Sequence, residues 1–372
     1  MINNPLRQLE TLGQSVWLDY IRRDLITGGG LRRLIEEDGL RGMTSNPSIF
    51  AKAITDSRYY DADIQNMVHE KKDAREIYES ITRRDVQSSA DEFRPLYEST
   101  GGRDGYVSLE VNPHLAHDTN GTIEEARRLW RDLDRPNVLL KVPGTFEGLP
   151  AIQQLISEGI SVNVTLLFGL PRYRQVADAY IAGIEERIAK GKPVKQVVSV
   201  ASFFVSRIDA MVDPLLDKII VQGGGKEDIA RQMYGQVAIA SAKKAYRIYK
   251  EIFDSERFKK LAAEGALPQR LLWASTGTKN PDYSDIKYIE ALIGSDTVSA
   301  VPLEILDAYR DHGDPKPNLE NDVERAVWIL ERLPELGINI DNATQQLEDE
   351  GIGKFKKPFD KLMERLEQIS PW

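Results

Sequence analysis

The chain has 372 residues, 41% hydrophobic and 29% charged, so at about 150 residues per domain its length fits either two to three domains or one decorated α/β barrel. Its 49 basic and 58 acidic residues leave a net charge of -9 with no long basic block, which argues against nucleic acid as a partner. The absence of cysteine excludes disulfide scaffolds, thiol nucleophiles, Cys-ligated zinc and iron–sulfur clusters.

The first fifteen residues lack a basic-then-apolar signal pattern. The longest strongly apolar run, 197–205, is far too short to span a bilayer, so a cytoplasmic protein with no membrane partner is expected. Short apolar or β-branched runs predict strands at 16–20, 42–45, 106–111, 138–142, 161–168, 196–201, 271–275 and 297–301. Segments of helical period include 59–71, 73–97, 172–189, 228–252, 284–293 and 303–311, with Pro171 and Pro302 near starts where a missing N–H is harmless. Strand followed by helix, eight times, fits a single (β/α)8 TIM barrel; a doubly wound open sheet is the alternative the same rhythm allows. We therefore expect one domain over 1–372, with the barrel at about 5–311 and a helical C-terminal extension at about 318–372. Gly28 to Gly30 and Gly223 to Gly225 match no nucleotide-binding fingerprint and read as turns. In the extension Phe355, Phe359, Leu362, Met363, Leu366 and Ile369 form one helical stripe. Packing on the chain's own barrel is the first reading of that stripe; a homodimer contact or a flap over the site are the others.

A barrel gathers its active site at the C-terminal ends of the strands. There the sequence carries polar residues in apolar settings: Asp19 ends strand one, Thr44-Ser45-Asn46-Pro47 closes strand two, and Ser108 and Glu110 share a face of strand three. Lys141 is set into Val138-Leu139-Leu140-Lys141-Val142. Asn163 and Thr165 lie on one side of strand five, Ser202 closes strand six, and Ser275-Thr276-Gly277-Thr278-Lys279-Asn280 closes strand seven. A lysine at a strand end can simply snorkel, and Asp19, Glu110 and Lys141 could be a structural ion cluster. The functional reading is a desolvated amine able to attack a carbonyl and form a Schiff base.

The segments GMTSNPSIF, VSLEV followed by AHDT, LLKVPGT, EGISVNVTLLF, SFFVSRIDAMVD and STGTKNP, in that order, resemble transaldolase of the longer bacterial type over about residues 5–311. The resemblance implies a class I, Schiff-base barrel enzyme of the pentose phosphate pathway. Such an enzyme moves a dihydroxyacetone unit between ketose and aldose phosphates without metal or cofactor. It implies Lys141 as the Schiff-base lysine, Asp19 as general acid/base, and Glu110 with Thr165 as the holders of a proton-shuttling water. It also implies that Asn46, Asn163 and Ser202 contact substrate hydroxyls and that Arg207 binds phosphate, with Phe204 beside the substrate. Many transaldolases carry a second phosphate-binding arginine after the strand-seven serine. Here Ser275 is followed by Lys279, which supplies charge but not a bidentate fork.

The nearest rival is a fructose 6-phosphate aldolase, which releases free dihydroxyacetone. Aldolases of that kind have glutamine where Glu110 stands and tyrosine where Phe204 stands. A metal-dependent enzyme would have to draw on only His69, His114, His117 and His312, of which His114 and His117 could meet on a helical turn. A non-catalytic scaffold would retain three desolvated charges without chemistry.

Overall fold

A computed structural model describes residues 4–370, so residues 1–3 and 371–372 of the expected domain lie outside the described residues. Eight parallel strands close into a (β/α)8 TIM barrel: β1 (Gln14–Asp19), β2 (Gly42–Thr44), β3 (Tyr106–Glu110), β4 (Val138–Pro143), β5 (Val162–Leu167), β6 (Ser199–Phe204), β7 (Arg270–Ala274) and β8 (Thr297–Val301). β8 returns to pair with β1, with Val16 opposite Ser299. Nearly every strand residue is buried, because helices cover the outside of the sheet while side chains fill the inside.

Seven of the eight strands lie within about two residues of the positions expected from sequence. β6 is the exception: it begins at Ser199 and runs through Phe204 rather than ending at Ser202. Ser202 points into the polar barrel interior, and Phe203 continues the ladder opposite Trp273. A polar side chain inside a barrel thus mimics a strand end. The expected helix 228–252 is two helices, Glu227–Met233 and Val237–Phe253, broken at Gly235, whose φ of +67° suits glycine. The expected helix 284–293 shrinks to Lys287–Ala291.

Register sets up the interior. Glu110 pairs with Lys141 and Lys141 with Asn163, so three polar residues on adjacent strands lie side by side. Beyond Val164 the β5 ladder shifts, and Leu166 adopts a φ of +61°. This bulge turns Leu166 toward the last helix, Ile340–Ile369, where Gly351 leaves room for its side chain.

That terminal helix packs on its own chain. Near its start Glu348 forms a buried pair with Arg172 of the helix after β5, and Phe355 reaches the central cavity. Further on, Asp360 bonds His114 at 2.6 Å, Phe359 meets Tyr78 edge-on at 5.4 Å, and Leu362 and Leu366 join a small core with Ile64, Ile77 and Ile81. Ile369, the last residue of the stripe, is 43% exposed.

Candidate active site

The C-terminal mouth of the barrel holds a cavity of about 390 Å³. Lys141 lies on its floor as the fourth residue of a strand that is otherwise apolar, which is why the strand forms and why the amine is drawn inside. Lys141 is 5% exposed; its Nζ donates to the Ser45 carbonyl at 3.0 Å and lies 3.4 Å from Oε2 of Glu110. Burial pushes the Glu110 carboxyl up, Lys141 pulls it back, and the result is a pKa of about 7. Neither Glu110 oxygen has a hydrogen-bond partner among the described residues, nor does the buried hydroxyl of Thr165, two register positions beyond Lys141.

Asp19 reaches the same cavity from the end of β1, and its Oδ1 accepts from the Thr44 hydroxyl at 2.5 Å. Asn46 caps the helix Pro47–Thr55 through Oδ1, which accepts from Ile49 N at 3.0 Å and leaves its amide nitrogen for other partners. Ser202 donates to Asn163 Oδ1 at 2.6 Å, and Asn163 Nδ2 donates to Ser108 at 3.1 Å. This chain links β3, β5 and β6 beneath the cavity.

One rim is cationic. Arg207 and Lys279 both line the cavity there. Burial pushes the Arg207 guanidinium down, with Glu350 of the terminal helix opposing, and its Nη1 is buried without a partner among the described residues. Burial and the nearby Arg207 push the Lys279 amine down as well. Ser275, whose φ of +54° places it in the left-handed region, shares a 3.0 Å hydroxyl contact with Ser206. Beside this rim the wall turns apolar: the Arg207 guanidinium lies 5.8 Å from the Phe204 ring centre, Phe204 packs on Phe168 at 5.1 Å, and Phe355 adds a further ring.

Of the eleven residues singled out from sequence, nine line this cavity: Asp19, Asn46, Lys141, Thr165, Ser202, Phe204, Arg207, Ser275 and Lys279. Glu110 and Asn163 do not. Glu110 stands behind Lys141, and Asn163 bonds Ser108 and Ser202 beneath the cavity. Sequence reasoning missed the Ser45 carbonyl, Thr44 as the partner of Asp19, and Phe355. The first is backbone and leaves no mark in the sequence; Phe355 was visible only as part of an apolar stripe. His114 and His117 are hydrogen-bonded to Asp360 and Glu147 respectively.

The family described as Transaldolase/Fructose-6-phosphate aldolase matches residues 16–366, which extends the likeness through the terminal helix. A protein named Transaldolase from Trichodesmium erythraeum (strain IMS101) is 48% identical over 99% of this chain and 98% of its own length. Transaldolase 2 of Nostoc punctiforme is 46% identical over 99% and 98%, and Transaldolase of Thiobacillus denitrificans 45% identical over 98% and 99%.

Proposed function

The chain belongs to the transaldolase/fructose-6-phosphate aldolase family, and we propose a residue-by-residue account of how it works as a transaldolase. It is a transferase that passes a dihydroxyacetone unit between ketose and aldose phosphates, converting sedoheptulose 7-phosphate and glyceraldehyde 3-phosphate to erythrose 4-phosphate and fructose 6-phosphate, and the reverse. The observation that carries the residue assignment is the buried Lys141 amine, 3.4 Å from a carboxyl of pKa about 7, on the floor of a cavity with a cationic rim.

In this account the unprotonated Lys141 amine attacks the C2 ketone of fructose 6-phosphate, and loss of water leaves an iminium that serves as electron sink. Asp19, oriented by Thr44, takes the proton of the C4 hydroxyl. The C3–C4 bond breaks and glyceraldehyde 3-phosphate leaves, while the three-carbon enamine stays on Lys141. Erythrose 4-phosphate accepts it by the reverse steps, and hydrolysis frees sedoheptulose 7-phosphate. Glu110 and Thr165, whose oxygens have spare hydrogen-bonding capacity, hold the water that shuttles protons. Asn46, Asn163 and Ser202 bind sugar hydroxyls, with Asn163 also aligning Ser202, and Phe204 packs against the substrate. Arg207, Ser275 and Lys279 receive the phosphate. The iminium supplies the electrophile, so the scheme calls for no metal or cofactor.

Glu110 and Phe204 favour transfer over aldolase release of dihydroxyacetone. The chain is read as one domain acting in the cytoplasm; among the described residues no helix is long and apolar enough to cross a membrane. A homodimer would use a surface other than most of the terminal stripe, which the chain's own helices cover. Sedimentation equilibrium decides it.

Borohydride added with fructose 6-phosphate is expected to fix a three-carbon adduct on Lys141, located by peptide mass; an adduct elsewhere, or none, defeats the lysine assignment. Without an acceptor, little free dihydroxyacetone should appear, and its steady release would favour the aldolase.

A further inference from the structure

The helix after β6, Ser206–Gln222, carries Arg207 in its first turn and, further along, three aspartates at every fourth position: Asp209, Asp213 and Asp217. That spacing puts them on one face. Each accepts a hydrogen bond from a tyrosine hydroxyl: Tyr288 to Asp209 at 2.9 Å, Tyr283 to Asp213 at 2.7 Å and Tyr234 to Asp217 at 3.3 Å. Tyr283 and Tyr288 belong to the segment after β7, which also carries Ser275 and Lys279. Tyr234 sits at the break between the helices Glu227–Met233 and Val237–Phe253. From that break the backbone N–H groups of Ala238 and Gly235 donate to Asp209 at 2.7 Å and to Asp213 at 2.9 Å. Lys287 Nζ closes the stack, 3.5 Å from Asp209 and 3.4 Å from the Tyr283 ring centre.

Two carboxylates only 1% and 5% exposed are a costly way to join segments that a few apolar side chains could hold. What they provide is direction. Tyr283 N donates to the Asn280 carbonyl at 3.2 Å and Asp282 N to Asn280 Oδ1 at 3.0 Å, a turn that ties Tyr283 to Lys279 through few free torsions. At the other end of the segment Ser206 N donates to the Ser275 carbonyl at 3.1 Å. Lys279 itself forms part of the wall between the central cavity and a smaller one lined by Asp209, Asp213 and Tyr283.

We infer that Asp213 and Tyr283 are positioning residues for the phosphate end of the site, fixing the post-β7 segment against the Arg207 helix so that Lys279 faces Arg207. The inference rests on the phosphate role proposed above for these two cations. A lysine is a point charge on a flexible stem and lacks the pre-organised fork of an arginine. A clamped backbone restores part of that pre-organisation by lowering the ordering cost of binding.

The test uses Tyr283→Phe, which deletes one hydrogen bond, and Asp213→Asn as a second variant, each alone and with Lys279→Ala. Readouts are kcat and KM for fructose 6-phosphate, competitive inhibition by inorganic phosphate, KM for the unphosphorylated acceptor glyceraldehyde at saturating donor, and thermal denaturation. Tyr283→Phe should raise the fructose 6-phosphate KM and the phosphate inhibition constant about fivefold, with kcat and the glyceraldehyde KM within about twofold of the parent. In the Lys279→Ala background it should add nothing, because the group it positions is gone. Unchanged constants in Tyr283→Phe and Asp213→Asn, or equal effects with and without Lys279, overturn the inference while leaving the phosphate role intact. A silent Lys279→Ala overturns the phosphate role of Lys279 and the inference with it.

Discussion

Glu110 is 7% exposed behind Lys141, with no hydrogen bond to either oxygen among the described residues, and burial lifts its carboxyl from the ordinary 4.5 to about 7. The folded chain therefore holds a proton that the unfolded chain has already released. The stability Glu110 contributes is full below pH 4.5 and is lost as pH rises through about 7. Glu110→Gln deletes that dependence. Its stability relative to the parent, measured by urea unfolding at pH 4.5 and pH 8, should rise by up to roughly 3 kcal/mol across the window. A flat difference would mean that folding leaves the Glu110 carboxyl at its ordinary value. In kinetics the parent's kcat/KM should fall as pH drops through about 7, since the shuttle needs the ionised carboxylate, and the variant should lose that limb along with most activity. Glu110, Lys141 and Asp19 were legible because charge inside an apolar strand is costly and so conspicuous. The support beneath them was less so. Asn163 stands out in sequence only as an implied substrate contact, and its two hydrogen bonds add that it orients Ser202.

Among the elements, the terminal helix shows what periodicity can and cannot say. The stripe correctly marks which face is buried, but it does not choose between the chain's own barrel, a dimer contact and a flap over the site; the helix packs on its own chain and, at Phe355, also reaches the cavity. The pair between Arg172 and Glu348 near the start of this helix has two contacts, 3.1 and 3.3 Å, with side chains 14% and 6% exposed. Removing one member strands a buried charge. Glu348→Ala should cost about 3 kcal/mol in chemical denaturation. It should also raise the sugar phosphate KM, because Phe355 lies two turns further along the same helix. Replacing both residues by leucine should recover most of the stability, since an apolar pair of similar volume avoids the desolvation penalty. If Glu348→Ala is as stable as the parent, the pair does not anchor the helix. β6 teaches the complementary lesson: inside a barrel a serine is as much strand as its aromatic neighbours, so polarity alone misplaces the boundary.

The whole barrel divides its two ends between chemistry and stability. Alternation of strand and helix made eight strands legible, and a site drawn from successive strand ends made closure the better reading than an open sheet, but neither cue reports on the far mouth. There Asp104 accepts from Ser15 at 2.8 Å, Arg41 at 2.7 Å and Arg270 at 2.9 Å, joining the N-terminal ends of β1, β3 and β7 with the residue before β2. Burial pushes this carboxyl up, but Arg270 and Arg41 overcome it and hold it below the ordinary aspartate range. The stability it contributes is therefore present above the unfolded pKa and lost as pH falls through the folded one. Asp104→Asn should cost about 3 kcal/mol or more at pH 7, with a gap to the parent that narrows under acid conditions. Since all its partners lie at the mouth opposite Lys141, kcat and KM measured well below the unfolding temperature should stay within about twofold of the parent. A large loss of kcat in a variant shown to be folded would mean that strain at one mouth reaches the other, and that the barrel does not separate the two tasks.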